Sequence, residues 1–341
     1  MLWFKNDYSE GAHEKVLKRL CDTSRCHRAG YGDDEYSLQA KEKIRQACNA
    51  PDADIVFLTG GTQVNATVIA AMLKPFEGAL AAVTGHINCH EAGAVEFAGV
   101  KVLPLPQYAG KVKAEDVQNY LDTFYADESY THMVFPGLLY ISHPTEYGTL
   151  YTKAELAALR KACDSRGVRL FLDGARMAYG LAAEGTDVTL PDIAKYCHAF
   201  TIGGTKCGAY CGEAAVFAAG CMPEKFVTLT KQRGAMLAKG SLNGLQFDTL
   251  FTDDLYGEIG RHTIRMAMKL KRALLDKGYE MYIDSPTNQQ FPIVDEETYR
   301  RLKEKVEFGI WERLRDGRIV IRLCTCWATE EQDLDELISL L

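Results

Sequence analysis

Ala199-Phe200-Thr201-Ile202-Gly203-Gly204-Thr205-Lys206 decides how this chain is read. Phe200, Thr201 and Ile202 read as the end of a short buried strand. Two glycines, a hydroxyl residue and one lysine follow. Gly-Gly makes a sharp turn, so Lys206 leaves the apolar strand and stands at its edge. Burial there lowers an amine's pKa and frees it to attack a carbonyl carbon. Four such residues also suit a plain surface lysine after a strand. The choice depends on what the rest of the chain places around Lys206.

Outward from this stretch, strands and helices alternate from about residue 36 to 220. Apolar strands are expected over 54–58, 79–83, 101–105, 133–142, 169–172, 199–202 and 214–218, the fourth broken near Pro136-Gly137. Helical spacing falls over 36–48, 63–73, 90–98, 114–125 and 153–165. Such alternation means an α/β fold with a mostly parallel sheet and helices on both faces. A helix over 12–21 and a turn-rich loop over 28–34 precede it. A long helix over 255–277 follows. Short strands over 290–294, 308–311 and 319–324 then mix with helices over 296–305 and 330–341, a smaller α+β domain. The expected division is an arm and loop over 1–35, a large domain over 36–245 and a small one over 246–341.

Composition agrees with this layout. With 341 residues, 47% of them apolar, the chain can bury a full core and exceeds one average domain. The net charge is −7 and there is no Lys/Arg block, which argues against a nucleic-acid partner. No apolar run has transmembrane length, and the first seven residues lack a signal-peptide layout, so a soluble cytoplasmic protein is expected. Cys21 with Cys26, Cys207 with Cys211 and Cys324 with Cys326 are not CxxC pairs. The eleven cysteines therefore read as reduced thiols, and no metal is expected.

Four stretches could join Lys206. Thr59-Gly60-Gly61-Thr62-Gln63 is a strand–turn–helix junction. Its glycines let backbone approach an anion, and the helix start offers free N–H groups for one phosphate. It also suits an ordinary turn with a good N-cap. Asp173-Gly174-Ala175-Arg176 puts a carboxylate at the carboxyl end of Leu170-Phe171-Leu172, the edge where open α/β sheets bind ligands. A carboxylate there can keep a pyridine nitrogen protonated, and Arg176 can reach a neighbouring phenolate oxygen. Asp173 as a helix cap paired with Arg176 fits equally well. His86, in Gly85-His86-Ile87-Asn88-Cys89-His90-Glu91-Ala92-Gly93, can stack on a flat ring, move protons, or simply cap a turn. Arg322, in Ile319-Val320-Ile321-Arg322-Leu323, either faces solvent or clamps a carboxylate. A carbonyl-directed lysine, a phosphate turn and a pyridine-directed carboxylate together fit pyridoxal 5'-phosphate (PLP).

In this order the elements resemble the PLP-dependent fold-type I enzymes, most closely the threonine aldolase and β-eliminating lyase family. The resemblance runs from Asn6-Asp7-Tyr8-Ser9 to Arg322. It is sharpest at Tyr31-Gly32-Asp33-Asp34, Gly61-Thr62-Gln63, His86 with Glu91-Ala92-Gly93, Asp173-Gly174-Ala175-Arg176, and Phe200-Thr201-Ile202 leading to Lys206. It implies an aspartate-aminotransferase-like fold and a homotetramer or homodimer with shared active sites. It implies that Lys206 holds PLP as a Schiff base, Asp173 pairs with the ring nitrogen, and His86 stacks on the ring. Gly60, Gly61 and Thr62 would hold the phosphate, with Arg176 and Thr205 also at the cofactor. Arg322, with Ser9, would bind the substrate carboxylate. A basic residue within 231–239 would reach a neighbouring subunit's phosphate. The chain departs from the family pattern at Thr205, where serine is usual. It departs again at Ser142-His143-Pro144-Thr145, where many aldolases carry Glu-Asn-Thr.

The function so implied is a PLP-dependent lyase that splits a β-hydroxy-α-amino acid such as L-threonine or L-allo-threonine into glycine and an aldehyde. His86, His132 and His143 are the histidines expected near the β-oxygen. β-Elimination or transamination on the same scaffold is the alternative among enzymes. A non-catalytic PLP-fold binding module is the alternative outside them.

Overall fold

The computed structural model describes residues 1–341. Strand β1 (Leu2–Trp3) belongs to the N-terminal arm. The central sheet holds β2 (Asp54–Leu58), β3 (Glu77–Ala82), β4 (Val102–Leu105), β5 (Phe135–Ser142), β6 (Arg169–Asp173), β7 (Ala199–Gly203) and β8 (Glu213–Phe217). Their order is β2-β8-β7-β6-β5-β3-β4. All neighbours are parallel except β8, which is antiparallel to both β2 and β7. β7 and β8 are buried along their whole length, as the near-continuous apolar run of a two-sided sheet requires. Because β8 runs backwards, its first residue, Glu213, meets the carboxyl ends of its neighbours.

The break expected in the fourth strand is a bulge. Register passes from Gly78 opposite Pro136 to Ala79 opposite Leu138, leaving Gly137 unpaired, and β5 continues to Ser142. A Cβ on Gly137 would lie 2.6 Å from Leu73 Cδ2, so the crossing there needs glycine. The helix expected over 90–98 is instead two short turns, His86–Cys89 and Ala94–Phe97. Ala92 and Gly93 between them have φ of 50° and 71°, a left-handed step that ends any helix. This step also turns Glu91 inward, where it is buried. The strand expected over 290–294 splits into β9 (Gln289–Gln290) and β10 (Ile293–Val294) around Pro292, which has no N–H to give a ladder.

Helix Ser241–Leu250 carries no legible amphipathic stripe because eight of its ten residues are buried. It packs against helices Glu35–Ala47 and Glu14–Asp22 and runs through the expected division at 245/246. The long helix Leu255–Asp276 serves both cores. Leu255, Tyr256, Ile259 and Ile264 join the core of the large sheet, while Met266, Leu270 and Leu274 join that of the C-terminal part. There β13 (Ile319–Cys324) pairs antiparallel with β9, β10 and β12 (Gly309–Arg313). β11 (Val306–Glu307) takes β1 as a parallel partner, tying the arm to this end. No helix is long and apolar enough to cross a membrane.

Candidate active site

The carboxyl edge of the sheet gathers side chains from six elements. Asp173 closes β6, Lys206 lies in the turn after β7, and Ser142 closes β5. His86 opens the turn after β3, and Asn65 sits on helix Gly61–Met72 after β2. Arg322 comes from β13 of the small sheet.

Asp173 is buried and hydrogen-bonded on both oxygens, with one acceptor site of Oδ1 left over. Its Oδ2 accepts from Tyr140 Oη at 2.7 Å and Asn65 Nδ2 at 2.9 Å, and its Oδ1 accepts from the Ala175 N–H at 2.9 Å. Burial works to raise its pKa, but His86, Asn65, Tyr140 and Lys206 outweigh that and hold it below the usual carboxylate value. Asp173 is therefore kept ionised. Asn65 Nδ2 also donates to Glu91 Oε1 at 2.7 Å, and His86 Nδ1 lies 2.7 Å from the same oxygen. Asn65, Glu91, His86 and Asp173 thus form one network.

Lys206 is half-buried, and its carbonyl accepts from the Tyr179 hydroxyl. Burial and then Arg176 push its amine pKa down, against Asp7, Asp173 and Glu213. Thr205 does not reach outward: its hydroxyl donates to Gly212 O at 3.4 Å and accepts from Gly212 N–H at 3.2 Å, pinning the turn. Arg176 pairs with Asp7 through Nε at 2.6 Å and Nη2 at 3.1 Å. That leaves both Nη1 N–H groups and the second Nη2 N–H for a ligand. Asn288 Nδ2 adds 2.9 Å to Asp7 Oδ2. Burial would raise the Asp7 pKa, but Arg176 and Lys206 lower it to about 2.

Gly60, Gly61 and Thr62 lie at the start of a twelve-residue helix. Gly60 offers no side-chain cap, and open space surrounds the position of a Cβ on both glycines. The N–H groups of the first turn have no partner within the chain. They and the helix dipole form a site for an anion.

Between these groups and the small sheet lies a cleft of about 630 Å³. Lys206, His86, Arg176 and Arg322 line it, with Tyr8, His90, Glu146 and Trp311. Arg322 faces this cleft, with its guanidinium 5.9 Å from the Trp311 ring centroid. Its contacts to Gln289 Oε1 (3.3 Å) and Lys5 O (3.4 Å) are long. Ser9 is not among the lining residues. Its hydroxyl donates to Asn6 Oδ1 at 2.8 Å and accepts from Trp3 Nε1 at 2.9 Å, and Tyr8 takes the place at the cleft. A cleft of about 740 Å³ elsewhere is lined by Leu181, Phe251, Tyr256 and Arg261 and gathers none of these groups.

Two expected histidines are corrected. His132 ends a short turn before β5 and lies exposed at the amino edge, the far side of the sheet. His143 lies in the core, where Nδ1 accepts from Tyr151 N–H at 3.2 Å. Burial, then Lys111, lowers its pKa to about 4, so it is neutral. His90 lines the cleft in their stead, its ring 5.6 Å from that of His86. Lys231 lies against the Tyr31 ring at 4.7 Å, beside the arm's loop.

Four residues of the edge were not singled out from sequence: Asn65, Tyr140, Glu146 and Glu213. Tyr140 and Glu213 each interrupt an apolar strand, a signal that was present, whereas Asn65 and Glu146 lie in mixed polar stretches that carry none. Glu146 Oε1 accepts from Ser142 Oγ at 2.7 Å and His86 N–H at 2.9 Å, and burial raises its pKa.

Comparison with known proteins places the fold and the family. Residues 12–245 match the family model described as beta-eliminating lyase. The solved threonine aldolase of Leishmania major is 40% identical, with a TM-score of 0.96 over 100% of this chain and 98% of that one. A low-specificity L-threonine aldolase of Pseudomonas aeruginosa is 26% identical over 80% of this chain and 78% of its own length. An aspartate aminotransferase of Thermus thermophilus, 15% identical, superposes with a TM-score of 0.71 over 100% of this chain and 90% of that one, which shows the fold alone. The chain therefore has the fold-type I, aspartate-aminotransferase-like architecture, and it belongs to the beta-eliminating lyase family, as a threonine aldolase-like lyase.

Proposed function

We propose that this protein is a PLP-dependent carbon–carbon lyase that cleaves a β-hydroxy-α-amino acid, L-threonine or L-allo-threonine, to glycine and acetaldehyde. The observation that carries this reading is the meeting of Lys206, Asp173, His86 and Arg322 at one sheet edge in a chain 40% identical to a threonine aldolase.

The residues present fit the cofactor. Lys206 offers an amine of lowered pKa, Asp173 an ionised carboxylate for a ring nitrogen, and His86 a flat face. The unpartnered first-turn amides at Gly61 and Thr62 suit its phosphate. When bound, PLP supplies an electron sink for the pair released when the Cα–Cβ bond breaks.

The protein's own work is placement and proton handling. Arg322 would fix the substrate carboxylate in the cleft by two parallel N–H donors. Glu91 accepts from Asn65 on the oxygen that His86 Nδ1 meets, so Nδ1 is the donor and Nε2 keeps its lone pair. His86 Nε2 can then take the proton of the β-hydroxyl, the proton that must leave for an aldol cleavage. Glu91, buried beneath, steadies the imidazolium so formed. Active sites shared between subunits of a homodimer or homotetramer belong to the same reading.

Product analysis on the PLP-loaded protein tests it. Threonine or allo-threonine should give equimolar glycine and acetaldehyde. Formation of 2-oxobutanoate and ammonia without glycine would make it an eliminating lyase instead. Reduction with borohydride should leave pyridoxyl on Lys206, and Lys206→Ala should lose the visible absorbance of bound cofactor.

A further inference from the structure

Asp7 is a fully buried acid of the N-terminal arm, and the reaction as described gives it no task. It holds Arg176, 169 residues away, through Nε at 2.6 Å and Nη2 at 3.1 Å. Both side chains are withdrawn from water, Arg176 to 12% exposure and Asp7 to 0%. Burying such a pair carries a desolvation cost that two apolar side chains would avoid, so stability alone is a poor reason for it.

The consequence of the pair is geometric. A guanidinium is planar, and two N–H bonds along one edge fix the direction of the rest. Arg176 lines the space beside Gly61, Asp173 and Lys206 as well as the wider cleft. Its side chain bonds to no other group of the chain. Asp7 therefore sets where the free donors of Arg176 point.

Asp7 is itself anchored to the C-terminal part. Asn288 Nδ2 donates to Asp7 Oδ2 and to Thr325 O, each at 2.9 Å. Ahead of Asp7, the N–H groups of Leu2 and Phe4 donate to Lys305 O and Glu307 O, and Phe4 O accepts from Cys324 N–H, all at 2.8 Å. The Phe4 ring is buried in the core of that part. Arg176, by contrast, lies in the turn after β6 of the large sheet. The pair thus joins the arm and the small sheet to the edge that carries Asp173 and Lys206.

We propose that Asp7 is a positioning residue of the cofactor site: it aims Arg176 at the cofactor and makes docking of the arm and binding of the cofactor depend on each other. The arm serves the site through Asp7 and not through Ser9, whose hydroxyl is spent on Asn6 and Trp3. By reciprocity, the docked arm tightens cofactor binding by the same factor as the cofactor tightens the arm.

This inference rests on the PLP site of the proposed function. The test titrates the full-length protein, freed of cofactor, with pyridoxal 5'-phosphate and reads the dissociation constant from its absorbance. Asp7→Asn keeps the size but offers one acceptor oxygen in place of two. Asp7→Glu keeps the charge but shifts the fork by one methylene. Both should weaken binding about tenfold or more, the worth of a hydrogen bond to a charged group. Unmoved constants overturn the proposal. So does tighter binding in Asp7→Asn with no change in Asp7→Glu, because Asp7 would then act through its charge and not through placement. Trypsin cleavage after Lys5 gives the reciprocal reading, since the arm must open there before it is cut. Saturating pyridoxal 5'-phosphate should slow that cleavage about tenfold in wild type and leave it unchanged in Asp7→Asn. A merely structural pair leaves cleavage indifferent to cofactor, so equal rates in wild type overturn the proposal even where neither variant folds. Failure of wild type to bind pyridoxal 5'-phosphate would sink the proposed function and this inference with it, whereas wild-type binding with unmoved variants sinks the role of Asp7 alone.

Discussion

Asn65 and Asp173, 108 residues apart in sequence, meet through one amide nitrogen, Nδ2 to Oδ2 at 2.9 Å. That nitrogen also serves Glu91, so one side chain positions both the acid below the ring site and the acid behind His86. Asn65→Ala leaves Asp173 with Tyr140 and the Ala175 amide. The loss of a hydrogen bond to a charged group is worth about 1.5–3 kcal/mol, so turnover should fall roughly tenfold to a hundredfold with the fold retained. Asp173→Asn, which removes the charge itself, should cost roughly two to four orders of magnitude. Steady-state rates with circular dichroism as a control decide both, and unchanged rates in either variant would return that residue to a structural role.

Arg322→Lys separates binding from chemistry. Lysine keeps the charge but not the planar fork that matches a carboxylate. KM for threonine should rise about tenfold or more while kcat changes less. A variant with unaltered KM would mean that the substrate carboxylate sits elsewhere.

His143 makes stability depend on pH. Its folded pKa, about 4, lies below the 6.5 of an unperturbed histidine. Between those values the unfolded chain takes up a proton that the native core refuses. The stability it contributes is complete above pH 6.5 and is lost as pH falls toward 4, by about 3 kcal/mol. His143→Gln can still accept from Tyr151 N–H and should flatten that slope. His198, also lowered to about 4, leaves part of it in place. Urea midpoints between pH 7 and pH 4 measure the difference, and parallel slopes would count against it.

What was legible in the sequence follows from what is local. Asp54–Leu58 and Ile319–Cys324 are apolar runs bounded by turns, and both strands lie where expected. Lys206, Asp173 and His86 were legible because each is a polar residue at a strand's carboxyl end, and a parallel sheet brings such ends together. Helix Ser241–Leu250 was not, since a helix buried all round has no stripe. Asn65 was not, because its partners, Glu91 and Asp173, lie 26 and 108 residues along the chain. Ser9 and Thr205 show the converse: residues carried over from a family pattern spend their hydroxyls on neighbours three to seven positions away.

The last prediction concerns the base. Retro-aldol cleavage requires a proton to leave the β-oxygen, whereas elimination requires one to leave Cα together with a leaving group on Cβ. On the proposed reading Lys206 would serve Cα in either case and so does not discriminate. A histidine at the cleft does, and the structure narrows three expected histidines to one. His132 lies at the opposite sheet edge, and His143 is locked in the core. His86 remains, with Nδ1 tied to Glu91 and Nε2 able to accept. His86→Phe keeps a flat face and removes the proton acceptor. Bound cofactor should retain its visible absorbance, while cleavage of threonine falls by about 10²- to 10⁴-fold, the usual worth of general base catalysis. Glu91→Gln should cost less, because the imidazole stays and only its charged support is lost. If His86→Phe cleaves at the wild-type rate, the β-hydroxyl proton goes to another acceptor, and His90 is the next residue at the cleft to test.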